Sequence, residues 1–182
     1  DVYKRQSTHI ASTNPIESYF TGNTKYVGID KIGIYVPLAS DYSDGSAEIF
    51  TKHRNKKHKN GTFESMAEGP LELDSRTIIY TRLEKNGQYA FLDFNPSRVM
   101  DFMLNQETSE ICAPRELPLI IRFLLRYLQA ILVPKWLLDE STGEILDTYP
   151  EGWENQVEIR KLATTRDLYI DNPAFNLKAL EG

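Results

Sequence analysis

The sequence predicts an α+β domain, an antiparallel sheet that contains a β-hairpin and is covered on one face by helices. Three observations carry this. Arg76–Glu84 and Gln88–Phe94 are two runs rich in β-formers that flank Lys85-Asn86-Gly87, and Asn-Gly between such runs marks a hairpin, because its turn needs positive φ at both central residues. Leu117, Ile120, Ile121, Leu124, Leu125, Leu128 and Leu132 recur at helical spacing. Finally, strand, hairpin, helices and a closing strand follow one another in an order that suits a sheet with segregated helices.

In chain order, residues 1–25 are rich in Ser, Thr and Asn and read as a poorly ordered lead-in, of which Asp1–Gln6 is set aside as extraneous. The folded domain is expected over 26–182, truncated at its C-terminal side. Lys31–Leu38 is a strand closed by Pro37. Asp41–Gly45 has turn chemistry, and Lys52–Gly61 reads as a basic loop. After the hairpin, Asn95-Pro96 begins a helix to about Asn105. Asn caps well, and proline at the first helical position gives up a donor that would be unpaired anyway. Val99, Phe102 and Met103 share its face. A longer helix is expected over about 115–132, turns at Ser141–Gly143 and Tyr149–Gly152, one strand from Val157 to Ile170, and a further helix from Asn172-Pro173 towards Leu180.

Composition narrows the function classes. With 41% apolar and 26% charged residues the chain can bury a substantial core, and its net charge of −5 argues against a general polyanion binder. Nucleic-acid contact therefore needs a local patch. Lys52, Arg54, Lys56, Lys57 and Lys59, interleaved with His53 and His58, supply one: five fixed positive charges within eight residues. The alternative is a solvated loop. His53 and His58 have no acidic or cysteine ligand beside them in sequence, which speaks against zinc. Leu119–Val133 is too short to span a bilayer and carries Arg122 and Arg126. Cys112, the single cysteine, rules out an internal disulfide and reads as a buried small hydrophobe. With no apolar leader, a cytoplasmic protein without membrane contact is expected.

Two segments carry a family resemblance. Leu92-Asp93-Phe94-Asn95-Pro96-Ser97-Arg98-Val99 resembles the apolar-x-Phe-Asn-Pro-Ser-Arg-Val turn of rolling-circle replication initiators of plasmids and phages. Lys161-Leu162-Ala163-Thr164-Thr165-Arg166-Asp167-Leu168 is similar to that family's Arg-Leu-(Asp or His)-Leu-(Ala or Thr)-Arg-Asp-Phe strand, at the first, second, fifth, sixth and seventh places. Asp171-Asn172-Pro173 follows where the family has its turn.

The resemblance implies a protein that recognises origin DNA, as a hairpin or single strand, and nicks one strand through a tyrosine and a divalent metal, Mg²⁺ or Mn²⁺. Such a metal polarises the scissile phosphate for in-line attack, and the tyrosine takes it as a covalent phosphotyrosine. Carried over residue by residue, this makes Asp167 the metal-site candidate. Arg166 joins Lys52, His53, Arg54, Lys56, Lys57 and Lys59 as DNA-binding candidates. The Asn-Pro-Ser-Arg turn is scaffold in that family. The third place of the strand, acidic or histidine in the family, is Ala163, and the family's nucleophile lies downstream of anything present here. Tyr127 reads as a packing residue on a helix and Tyr149 as a turn residue, so the catalytic tyrosine is unassigned. Trp136 and Trp153 read as core or rim aromatics, with base stacking as the alternative. Three readings stay open: a nicking initiator, a non-catalytic DNA-binding or protein-interaction module on the same scaffold, and an unrelated α+β protein.

Overall fold

The computed structural model describes residues 28–39, 50, 52–107, 111–164, 169–171 and 177–180. Seven strands form one sheet: β1 (Ile29–Pro37), β2 (Lys52–Lys57), β3 (Phe63–Glu72), β4 (Ile78–Glu84), β5 (Tyr89–Phe94), β6 (Glu158–Thr164) and β7 (Tyr169–Asp171). Their order is β2-β3-β4-β5-β1-β6-β7, and every neighbouring pair is antiparallel. Helices α1 (Pro96–Leu104) and α2 (Leu117–Tyr127) cover one face, as an α+β domain requires.

The core lies between that face and the helices. Period-two alternation turns Ile32, Ile34 and Val36 of β1, Ala90, Leu92 and Phe94 of β5, and Ile79 and Leu83 of β4 inward, and a register shift opposite Gly33 and Ile34 lets both Ile159 and Leu162 of β6 join them. They meet Val99 and Met100 of α1 and Leu117, Ile120, Ile121, Leu124 and Leu125 of α2. Burying each such side chain contributes about 1.5–3 kcal/mol.

Most expected elements form, with corrections that have local causes. The hairpin is β4–β5, but its last pair is Glu84 with Tyr89, so the loop holds four residues. Lys85, Asn86 and Gly87 all adopt positive φ, at 50°, 57° and 82°. Side chains of β3 and the loop itself fix it: Glu64 Oε1 accepts the Lys85 N–H at 2.5 Å and Asn86 Oδ1 accepts the Ser65 N–H at 2.8 Å. The basic run at 52–57 is an edge strand rather than a loop, paired with β3 from Lys52↔Glu68 to Lys57↔Phe63. Lysine-rich sequence suits an edge, where charge discourages further strand addition.

The second helix ends at Tyr127, and a 3₁₀ turn at Pro114–Glu116 precedes it. Leu128 and Leu132 remain buried because tight turns, with Ile131 and Leu132 N–H both bonded to Leu128 O, keep them facing inward. Helix α1 buries Val99 and Met100, while Phe102 packs edge-on against Tyr127 at 5.1 Å. The expected strand 157–170 is two antiparallel strands, with Ala163 opposite Tyr169. Beyond it, a 3₁₀ turn at Leu177–Leu180 docks through Leu177 N–H to Val157 O at 3.0 Å. The lead-in over 1–25 and the turn at Asp41–Gly45 lie outside the described residues. Among the described residues no helix is long and apolar enough to cross a membrane.

Candidate nucleic-acid interface

Alternation that sends one row of each strand into the core sends the other to the opposite face, which carries no helix among the described residues. Two rungs cross the centre of that face. Arg82, Phe91, Tyr35 and Glu158 are register partners on β4, β5, β1 and β6. The next rung is Tyr80, Asp93, Gly33 and Lys161. Glu84 and Tyr89 pair beside the first.

Tyr35, Tyr89 and Phe91 are each met by a cation. Tyr35 and Tyr89 stack at 4.7 Å with planes 9° apart. Arg160 lies 4.4 Å over Tyr35 and Lys85 lies 4.8 Å over Tyr89. Phe91 lies between Arg82 at 4.8 Å and Lys161 at 5.5 Å. Such contacts contribute about 0.5–2 kcal/mol each, more where water is excluded. They also hold long cationic side chains flat on the face. Carboxylates balance part of the charge: Glu84 pairs with Arg82 at 2.6 Å and Glu158 with Arg160 at 3.0 Å. Burial, followed by the nearby Glu84 carboxylate, pushes the Tyr35 phenol far above its ordinary range.

Asp93 is nearly buried beside Phe91. Its Oδ2 lies 3.7 Å from Lys31 Nζ and 3.9 Å from Lys161 Nζ. Desolvation outweighs both ammonium groups and raises its pKa above the usual carboxylate range. Composition did not single Asp93 out; its place between two lysines is visible only once β5, β1 and β6 are in register. The same register brings the two resemblance segments together, since Asp93 belongs to the first and Lys161 to the second.

The basic edge strand extends the sheet: by register Lys56, opposite Glu64, shares the side of Glu68 and Arg82, whereas Lys57, opposite Phe63, lies on the other side. Lys56, Lys57 and Lys59 are exposed, and Lys57 Nζ lies 5.8 Å from the Phe63 ring. Lys52, His53 and Arg54 belong to β2, opposite Glu68, Ala67 and Met66. His58 Nε2 is 2.8 Å from Glu64 Oε2, an acidic neighbour that sequence order hides because the β2–β3 turn creates it. Glu64 is held below the usual carboxylate range first by the Lys85 N–H and then by His58.

Arg166 and Asp167 lie outside the described residues. Among the described residues no three of His, Cys, Asp and Glu converge as a metal-binding set. Asp93, the carboxylate of the first motif segment that meets the second, is flanked by ammonium groups that oppose a cation. These residues do not fit a divalent metal, and they support no metal-dependent step.

The remaining candidates are structural. Asn95 Oδ1 accepts the Ser97 and Arg98 N–H groups at 2.9 and 3.2 Å, capping α1, and Ser97 Oγ accepts the Cys112 N–H at 3.2 Å. Cys112 is buried, which pushes its thiol up to about 12. Trp136 and Trp153 are core residues that cluster with Tyr149, at 5.7 Å from each other, on the helical side. That removes them as stacking surfaces for bases. Tyr127 is half-exposed but leans on Phe102. No family model, curated protein or solved structure matches the chain.

Proposed function

We propose that this domain binds single-stranded nucleic acid across the helix-free face of its sheet, as the DNA-binding part of a replication initiator. The observation that carries the reading is the cluster on and around the two central rungs, where Arg82, Lys85, Arg160 and Lys161 lie over the rings of Tyr35, Tyr89 and Phe91. Aromatic rings on an antiparallel sheet can give bases a stacking surface worth about 1–3 kcal/mol per base, and adjacent cations can track the phosphates. Tyr35 and Phe91 are buried beneath these cations and Tyr89 is half-buried, so binding must first lift the Arg and Lys side chains from the rings to the phosphates, which offsets part of the gain. Because several cations already have carboxylate partners, affinity is led by stacking more than by net charge.

Fluorescence anisotropy with a labelled single strand, a hairpin with single-stranded flanks and a blunt duplex tests this across a salt series. Tighter binding to the first two supports it. Duplex binding as tight as single-strand binding, or no binding to any of the three, rejects it.

A second reading adds strand cleavage, with Asp167 as a ligand of Mg²⁺ or Mn²⁺. It is favoured by the meeting of the two initiator-like segments, seen in the approach of Lys161 to Asp93. Its test is a search for nicked product and a covalent protein–DNA adduct on hairpin DNA with Mn²⁺. An adduct that disappears on Asp167→Ala supports cleavage; DNA that stays intact under conditions of full binding leaves the binding reading alone.

A further inference from the structure

Asp93 has one carboxylate oxygen engaged and the other without a donor. Oδ2 faces Lys31 and Lys161, whereas Oδ1 is buried and has no hydrogen-bond partner among the described residues. The side chain is 9% exposed. An ionised oxygen buried without a donor is costly, and such groups call for a specific explanation.

The geometry points to Asp93 as a base-reading residue, whose Oδ1 accepts a hydrogen bond from the exocyclic amino group of an unstacked base and so selects cytosine over thymine or uracil. This rests on the strand-binding reading of the face and names the base edge it takes. A carboxylate can only accept. Cytosine presents an amino donor at N4 where thymine presents the O4 carbonyl. Cytosine N3 and O2 then lie beside that donor as acceptors, and the ammonium groups next to Oδ2 have hydrogens to give. Thymine carries a carbonyl on each side of its ring N–H, and these repel the carboxylate. The neighbouring Phe91 ring, buried under Arg82 and Lys161, becomes a stacking face on the same strand once those side chains lift. Lys31 and Lys161, whose ammonium groups lie at Oδ2, are 62% and 44% exposed, so these long side chains are free to swing aside as the base approaches.

The test compares oligo-dC with oligo-dT of equal length, by anisotropy at pH 7.5, using the whole chain. A preference of about tenfold for dC is expected, the size of one good base-edge contact. Asp93→Leu, which is similar in bulk and lacks an acceptor, brings the two affinities together. Oligo-dC dimethylated at N4 also loses the preference, and because it leaves the protein untouched it decides the matter even if the variant fails to fold. Equal binding of dC and dT, as expected if water alone serves Oδ1, overturns the inference while strand binding stands. A preference that survives both changes overturns it as well. Binding to neither oligonucleotide overturns the reading of the face itself.

Discussion

Phe91 lies across Gly33 so closely that a Cβ on Gly33 would stand 2.8 Å from the ring Cζ and 3.1 Å from the Lys161 Cβ. The ring is not its register partner: Gly33 faces Asp93, and Phe91 faces Tyr35. The missing side chain lets the ring lean diagonally over β1 and meet Lys161 on β6. Gly33→Ala forces that ring or the backbone aside, a clash of the overpacking kind that costs about 1–3 kcal/mol. A thermal or urea melt should show the loss. Unchanged stability would mean the ring is free to move away.

Strand binding should depend on the half-buried ring of the stacked pair. Tyr89→Leu keeps apolar bulk on β5 but removes the flat surface that meets Tyr35. A loss of about 1–3 kcal/mol in single-strand affinity is expected, with little change in melting temperature. If affinity holds, the strand does not cross this part of the face.

The edge strand makes a separable, electrostatic contribution. Lys56 and Lys57 are exposed on β2, so Lys56→Glu with Lys57→Glu should weaken binding to all sequences alike. The dependence of log K on log salt should become shallower, by roughly 0.7 for each phosphate of a single strand that the variant no longer neutralises. An unaltered slope would assign the phosphates to other cations.

The helix start can be tested without touching the face. Asn95 is the cap of α1 and receives two backbone N–H groups. Asn95→Ala should cost about 1 kcal/mol, visible as a fall of about 2–4 °C in melting temperature for a chain of this size, with binding unchanged in protein that remains folded.

Much of this architecture was legible because local chemistry and tertiary structure agree. Asn86-Gly87 demanded a positive-φ turn and got one, and Asn95-Pro96 could start a helix but not continue a strand. Where they disagree, the sequence misled. The lysines of β2 read as a loop because pairing with β3 is a long-range event and an edge strand tolerates charge on both sides. The run from Val157 to Ile170 read as one strand because its β-rich halves carry no Gly or Pro between them. The central face was not legible at all: Gly33, Tyr35, Phe91, Asp93 and Lys161 come from three strands, and only register unites them.

The Asp93 ion triad predicts a pH response with a definite sign. Folding buries the carboxylate and raises its pKa despite Lys31, Lys161 and Arg82 nearby. In its ionised form it therefore works against the native state at neutral pH, and the penalty is relieved as pH falls through the raised native value towards the unfolded one. Glu64 acts in the opposite sense. Its lowered pKa stabilises the fold above the unfolded value, and that contribution is lost as pH falls through the lower native one. Asp93→Asn removes the first effect and leaves the second. The variant should melt at least as high as the native chain at pH 7.5, in line with buried ion pairs whose desolvation exceeds their attraction. The two melting curves should draw together as the solution is acidified and Asp93 takes up its proton. A variant that melts lower at pH 7.5 would show that the two lysines outweigh desolvation, and that the triad holds β5 to β1 and β6.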